Sequence, residues 1–386
     1  LTAQPPVGSF ESFAKRLSEL GLEYDVVGPA PPGVRRGLEQ VEPPSGVDGR
    51  VAIAVPDHTR PVPLQRVLEL LSPLLRGRCQ LIFATGSHPM GVEDARRMLG
   101  SWSSKVSFGI HDSSGPHTYV GRTSRGLGVE VDERFASADF KVTVGVVAPH
   151  PWAGFSGGSK VVLPGVSSLR TIVEHHLRWY RDGRPGVVEG NPFREEIEEA
   201  GRLAGVDWAL NMVLDEEGRV AYAEGGEPGE SFRKCVGVAR SMYVRPVEGL
   251  YDSALVFAEP LDIDLYQATK ALEHAAPAVE EGGSLVLAAA CPRGYGSEEF
   301  KRFASMDGEA IEELLRSGWR GNVVPAIVAL RMKEIFERYS VTVFTEGPLE
   351  GLKGAELARS AREALSRLRG RVLVVKRGGF TVPQAR

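Results

Sequence analysis

Residues 150–160 read His-Pro-Trp-Ala-Gly-Phe-Ser-Gly-Gly-Ser-Lys, and His176 follows on a helical pattern. Each residue type there brings a definite chemistry. Gly157 and Gly158 let the main chain approach an anion closely, and with Ser156 they form a turn whose successive N–H groups would make an anion nest. Lys160, at the end of the turn, suits either a counter-charge or a nucleophile. The G-x-x-x-x-G-K-[ST] spacing of a Walker loop is missing. His176 falls with Leu169, Ile172, Val173, Leu177 and Tyr180 on one apolar helix face, while His175 points about 100° away. An imidazole on such a face serves as a hydrogen-bonded core group or as a donor to a nickel-, copper- or zinc-type ion.

Two further histidines end apolar runs. His88 closes Thr85-Gly86-Ser87-His88, and His150 closes Ala148-Pro149-His150. Imidazole titrates near neutral pH, so the pair suits general acid/base work on two faces of one substrate carbon. A zinc site built from His88, His150 and His176 is the rival reading, with three nitrogen ligands and a water. A third is a non-enzymatic module that binds a phosphorylated small molecule through the glycine loop alone. Asp57 and Arg60 bracket a turn, and the planar guanidinium fork matches a carboxylate or phosphate. Tyr266, Gln267 and Lys270 open a helix on which Tyr266 and Lys270 share a face. Gly190-Asn191-Pro192 reads as a turn into a helix with acidic residues in its first turns, a structural feature before a chemical one.

These residues need a frame to hold them. Apolar runs at 51–55, 80–84 and 141–147 alternate with helical patterns at 64–75 and 92–99, the signature of an α/β sheet. Chemically capable residues follow each run directly, and ligands of open α/β sheets bind outside the carboxyl ends of strands. Three such ends therefore point to one site. A second alternation has strands at 253–257, 284–290 and 341–344, helices at 265–274, 309–316, 325–338 and 355–369, and a last strand at 371–375. One helix is expected at 10–20. The predicted organisation is two α/β domains: 1–248 carrying the site, a smaller 249–370, and a final strand in 371–386 that either domain could hold.

Composition narrows the classes. The chain has 386 residues, 42% hydrophobic and 25% charged, with net charge −4, which gives no support for a nucleic-acid or membrane-surface partner. No run of about 18 apolar residues could span a bilayer, and no basic-then-apolar leader opens the sequence, so a cytoplasmic enzyme is expected. Cys79, Cys235 and Cys291 are too scattered for a disulfide frame or a zinc site. Lysine is scarce beside arginine, 10 against 36, which gives Lys160 and Lys270 more weight.

Taken together, Asp57-His-Thr-Arg60-Pro61, Thr85-Gly-Ser-His88-Pro-Met90, the 150–165 stretch, His175-His176, Gly190-Asn-Pro192 and Tyr266-Gln-Ala-Thr-Lys270 resemble the lactate racemase family, enzymes that use a nickel-pincer nucleotide. The resemblance implies two α/β domains with the cofactor in the cleft between them. It implies Lys160 as the thioamide tether of a pyridinium bis-thiocarboxylate mononucleotide-type cofactor, and His176 as the protein ligand of nickel. His88 and His150 would be the acid/base pair, with Arg60 and Lys270 on the substrate carboxylate or an intermediate oxygen and Asp57 orienting one of these groups. Ser156, Gly157, Gly158, Tyr266 and Gln267 would lie near the cofactor phosphate. The implied partners are a 2-hydroxy acid substrate and the cofactor-synthesis proteins that load the enzyme. The implied reaction is reversible hydride transfer at C2. One departure stands out: lactate-using members often carry a tryptophan entering the helix that here begins near Pro325, where this chain reads Asn322-Val323-Val324, with its nearest tryptophan at Trp319. A pocket without that indole would admit a larger or differently charged hydroxy acid.

Overall fold

The structure is a computed structural model and describes residues 10–75, 77–319 and 321–386. The chain forms two compact units, Pro31–Met242 and the remainder, up to Ala30 and from Tyr243 onward.

In the first unit the strands stand in the order Val220–Gly226, Trp208–Leu214, Phe140–Val146, Val51–Pro56, Cys79–Ala84, Ser107–Ile110. All neighbours are parallel except the first pair. Val51–Pro56 is buried throughout, as expected of a central parallel strand covered on both faces. Helices Leu64–Leu70 and Val92–Leu99 supply one cover, with Leu64, Val67, Leu68, Ala95 and Leu99 in one core with the sheet residues Ile53, Val142 and Leu210. Chain order reverses between Val51–Pro56 and Phe140–Val146: successive strands run outward on either side of this pair. In such doubly wound sheets the crevice at that reversal, outside the carboxyl ends, is where ligands sit. Asp57 leaves one of those two strands and Val147 the other.

The second unit has its own six-stranded, all-parallel sheet: Tyr24–Val27, Val372–Val375, Tyr251–Phe257, Val279–Ala288, Ser340–Phe344, Glu356–Ala358. Phe13 and Leu17, from the helix Phe10–Glu19, pack on its face with Leu255, Phe257, Val286 and Val374. Val244–Val247 pairs with Val382–Ala385 beside it.

This differs from the expected 1–248 and 249–370 division. The opening helix and Tyr24–Val27 join the second unit, because Val372–Val375 offers a parallel partner and its sheet a face for Phe13 and Leu17. The strand expected at 371–375, observed as Val372–Val375, lies inside that same sheet, and a further strand, Val382–Ala385, follows it. The helix expected at 355–369 is instead a short edge strand, Glu356–Ala358, and a helix Ala361–Leu365. Ser360 interrupts it by capping the helix, its hydroxyl accepting from the Glu363 N–H. The helix expected to reach residue 75 ends at Leu70, three residues before Pro73, whose ring and missing N–H oppose continuation.

Candidate active site

Asp57 sits just past the strand Val51–Pro56, 4% exposed. Its Oδ1 accepts from the Thr59 N–H at 2.8 Å and the Thr59 hydroxyl at 2.5 Å. Its Oδ2 lies 3.1 Å from Nδ1 of His88. Burial alone would raise the carboxyl's pKa, but the bond to His88, the charge of Arg60 and the Thr59 hydroxyl together hold it well below the ordinary carboxylate range. A carboxylate can only accept, so Nδ1 of His88 carries a proton and donates it. In neutral His88, Nε2 then presents a lone pair, the form a general base needs. The second loop is anchored separately: Thr85 Oγ1 donates to the His111 carbonyl at 3.0 Å, and the Gly86 N–H to the Gly165 carbonyl at 2.8 Å.

His150 begins a hairpin in which Pro149–His150 pairs with Gly154–Phe155. The hairpin turns its own N–H groups inward: those of Trp152 and Ala153 both donate to His150 Nδ1, each at 3.2 Å. The glycine loop follows. Gly157 and Gly158 have φ of +77° and +57°, and a Cβ on Gly158 would stand 2.6 Å from Arg194 Nη2. The expected anion nest is only partly available. The Ser156 N–H donates to the Ala148 carbonyl at 2.7 Å, and the Gly158 N–H to Asn211 Oδ1 at 2.8 Å. Close backbone packing explains the glycines here, and its product is the position of Lys160 on the turn Gly158–Val161, with Nζ 5.9 Å from the centre of the Phe193 ring.

The helix Leu169–Trp179 is capped by Ser168, whose Oγ accepts from the Thr171 N–H. His176 donates from Nδ1 to the Ile172 carbonyl at 2.8 Å, which leaves Nε2 as the lone-pair nitrogen of the neutral ring. Burial, with the Lys160 charge second, pushes its pKa down to about 3. A carbonyl-anchored neutral imidazole is the form in which histidine ligates metals. Trp152 and Phe193 border the ring at centroid distances of 5.9 and 5.2 Å. His175 is equally buried, although it was expected to point away from the core, because the helix Pro192–Leu203 covers that side and offers the Phe193 carbonyl at 3.0 Å. Among the described residues, no group of three or more His, Cys, Asp or Glu is arranged to hold a metal ion. The three-histidine zinc site is therefore not formed.

One cleft in this unit is lined by Asp57, Arg60, His88, Ser156, Gly157 and Lys160 among others. Gly158 packs beneath it on Asn211 and Arg194. His150 and His176 are not among its lining residues, and each meets the Trp152 ring edge-on, at centroid distances of 6.2 and 5.9 Å. Tyr266, Gln267 and Lys270 belong to the second unit, on the helix Leu265–Ala275 capped by Asp264. There the Lys270 ammonium donates to Gln267 Oε1, and the Tyr266 ring meets Phe300 edge-on at 5.2 Å. Val323 and Val324, both buried, occupy the entry to the helix Val324–Arg338, while Trp319 packs on Phe303 at 6.3 Å.

Sequence reasoning missed Arg194 and Asn211. Arg194 is fully buried, donates to the carbonyls of Phe155 and Gly157, pairs with Glu198 and stacks 3.7 Å over the Phe232 ring. Asn211 Oδ1 holds the loop, and its Nδ2 donates to Ser231. The available signals were an asparagine inside an apolar strand and an arginine on a helix's buried face. Asn191 bears out its structural reading: it caps the helix and donates to the Trp152 carbonyl at 2.8 Å.

No described helix is long and apolar enough to cross a membrane. A lactate racemase N-terminal domain model matches residues 38–186. The lactate racemase of Thermoanaerobacterium thermosaccharolyticum is 29% identical over 292 residues, 71% of this chain and 68% of that protein. The lactate racemase of Lactiplantibacillus plantarum is 27% identical over 277 residues, 68% and 65% of the two chains. The structure of the T. thermosaccharolyticum lactate racemase apoprotein superposes with a TM-score of 0.81 at 25% identity, covering 97% of this chain and 92% of that one. A structural-genomics protein from Thermotoga maritima shares the fold, with a TM-score of 0.71 at 19% identity over the full length of both. The domain match opens ahead of the strand Val51–Pro56 and closes just past the helix bearing His176, and the structural likeness then carries through almost the whole chain, so this chain is similar to lactate racemases over most of its length.

Proposed function

We propose that the protein inverts the C2 hydroxyl centre of a 2-hydroxy acid, lactate or a larger relative, as a nickel-pincer-dependent racemase or epimerase. The observation that carries this reading is the pair formed by buried Asp57 and half-buried His88, which faces the same cleft as Arg60 and Lys160. It supplies a base, a carboxylate partner and an attachment point in one place.

In this reading Arg60 pairs with the substrate carboxylate through its planar fork. His88 Nε2 accepts the substrate's hydroxyl proton, while Asp57 fixes the tautomer and stabilises the imidazolium that forms. His150 serves the same hydroxyl oxygen from another strand end. The C2 hydrogen of a hydroxy acid is too weakly acidic for imidazole to remove as a proton. When bound, the pincer nucleotide would supply the hydride acceptor that the side chains lack. Lys160 would tether it. Among the described residues no conventional site of three protein ligands is formed, and His176 would be the protein ligand of a metal whose other ligands the cofactor brings. Ser156 and Gly157 line that cleft, and the resemblance adds Gly158, Tyr266 and Gln267 as phosphate neighbours and Lys270 as a second cation for substrate. Cofactor-synthesis proteins would load the site. The resemblance places the entry to the helix Val324–Arg338 near the substrate, and without a tryptophan there the pocket would admit a larger or differently charged 2-hydroxy acid. The binding-module reading is weaker, because two N–H groups of its nest are already taken.

Intact-protein mass spectrometry with metal analysis, on protein made in a host with the cofactor pathway, tests this. The expected result is a mass increment on Lys160 and roughly one nickel per chain, with chiral turnover of at least one acid in a 2-hydroxy acid panel. Unmodified Lys160 together with full activity of Lys160→Arg would sink the proposal.

A further inference from the structure

We propose that His111 is a positioning residue, an imidazolium buried between the loop that carries His88 and the helix that carries His176. Its place in catalysis rests on the racemase reading, whereas its charge state rests on hydrogen bonding alone. His111 follows the strand Ser107–Ile110, and its side chain is wholly enclosed. Ring Nδ1 lies 3.3 Å from Asp132 Oδ2, and ring Nε2 lies 3.0 Å from the Ser167 carbonyl oxygen. A carboxylate and a carbonyl can only accept, so each nitrogen must donate. A neutral imidazole has one N–H for these two acceptors. Either neutral tautomer would set a ring lone pair against an oxygen lone pair in a buried site.

The surroundings hold Asp132 in its acceptor form. Arg134 donates to its carboxylate from Nε at 2.9 Å, from Nη2 at 2.6 Å and from the backbone N–H at 3.0 Å. Burial would raise the carboxyl's pKa, but these bonds and that of His111 hold it well below the ordinary carboxylate range. The remaining ionisable neighbours are occupied elsewhere. His117 stands edge-on to His111 at 5.3 Å with its own Nδ1 2.7 Å from the Gly115 carbonyl, and burial keeps it below the ordinary imidazole range. Glu130 accepts the Ser168 hydroxyl at 2.8 Å, and Asp112 is exposed. The charge on His111 is thus matched by Asp132, whose carboxylate it shares with Arg134.

What the imidazolium joins is the frame of the site. Its main chain is tied to the strand Cys79–Ala84 and the loop beyond it: the His111 N–H donates to the Phe83 carbonyl, and its carbonyl accepts from Thr85 Oγ1, each at 3.0 Å. That loop continues to His88, whose N–H donates to the Thr85 carbonyl. The ring holds Ser167, the residue before the Ser168 cap of the helix bearing His176. The Gly86 N–H, bonded to the Gly165 carbonyl, spans the same two segments. Losing the Nε2 hydrogen would release the turn before that helix, and losing the Nδ1 hydrogen would turn the Asp132 contact repulsive. Both nitrogens are occupied within the frame, so His111 acts through the positions of His88 and His176.

The test reads the apoprotein, so its outcome is separate from that of the Lys160 mass increment. Long-range proton–nitrogen correlation spectra of 15N-histidine-labelled protein, assigned by His111→Gln, report the ring hydrogens. Near neutral pH both nitrogens of His111 should carry one. A singly protonated His111 in the folded wild type overturns the proposal, whether or not the racemase reading survives. Raising the pH then removes one ring hydrogen. In step with that loss, hydrogen exchange should show protection falling at the Gly86 amide and at the Thr171 amide, which the Ser168 cap holds. The fall should be about tenfold or more beyond the ordinary base-catalysed rise, as for losing one hydrogen bond to a charged group. The Gln variant has no ring to titrate and should lack the step. Unchanged protection across the wild-type titration, or the same step in the variant, overturns the positioning role.

Discussion

Asp57 and His88 show how one hydrogen bond gives a partly exposed imidazole a single tautomer. The carboxylate lies 3.1 Å behind Nδ1, and without it the ring could take either tautomer. Asp57→Asn should therefore lower kcat by about 10²–10⁴-fold, the range spanned by losing general acid–base assistance. Steady-state turnover of the variant checks this. Stability follows from the same bond. The folded-state pKa of Asp57 lies below its unfolded value, so its contribution is complete above about pH 4 and is lost as pH falls further. Thermal unfolding between pH 7 and 3 should show the wild type losing its advantage over Asp57→Asn only on the acid side. A constant gap across that range would contradict this account. Both residues were legible in the sequence because they closely follow buried apolar runs. Their contact was not, since a separation of 31 positions, through a helix and a strand, gives no register between two loops.

At the scale of elements, the glycine turn is held by groups remote in sequence. Arg194 supports it from a helix and Asn211 from a strand. Gly158→Ala would place a methyl group 2.6 Å from Arg194 Nη2 at a φ of +57°. It should destabilise the unit by about 1–3 kcal/mol and reduce cofactor attachment at Lys160, read by calorimetry and intact mass. Arg194→Met should cost about 3–5 kcal/mol, because Glu198 and two carbonyls lose a buried partner. Unchanged melting temperatures in both would refute this view of the loop. The strands and helices around the turn were readable from periodicity. Arg194 was not, because a charged residue in a helix reads as solvated until the burying partner, here Phe232 and the loop itself, is known.

For the whole molecule, local patterns gave the two alternations of strand and helix but not which sheet each strand joins. Tyr24–Val27 is short and partly exposed, and its pairing with Val372–Val375 is nearly as non-local as the chain allows. A chain begun at residue 31 should keep the first unit intact while the second loses an edge strand and the packing of Phe13 and Leu17. Two-transition calorimetry should show one transition lowered and the other unmoved. Equal displacement of both would argue against the division.

That arrangement also sets an order on the ribosome. Residues 31–242 emerge with every strand of their sheet already made, and can fold while synthesis continues. The strand Tyr24–Val27, translated ahead of them, must wait, because Tyr24 has no partner until Val372 is translated. Tyr24–Val27 is therefore made before the first unit and placed after it, and until then the nascent chain carries an apolar helix face and an unpaired edge in need of protection.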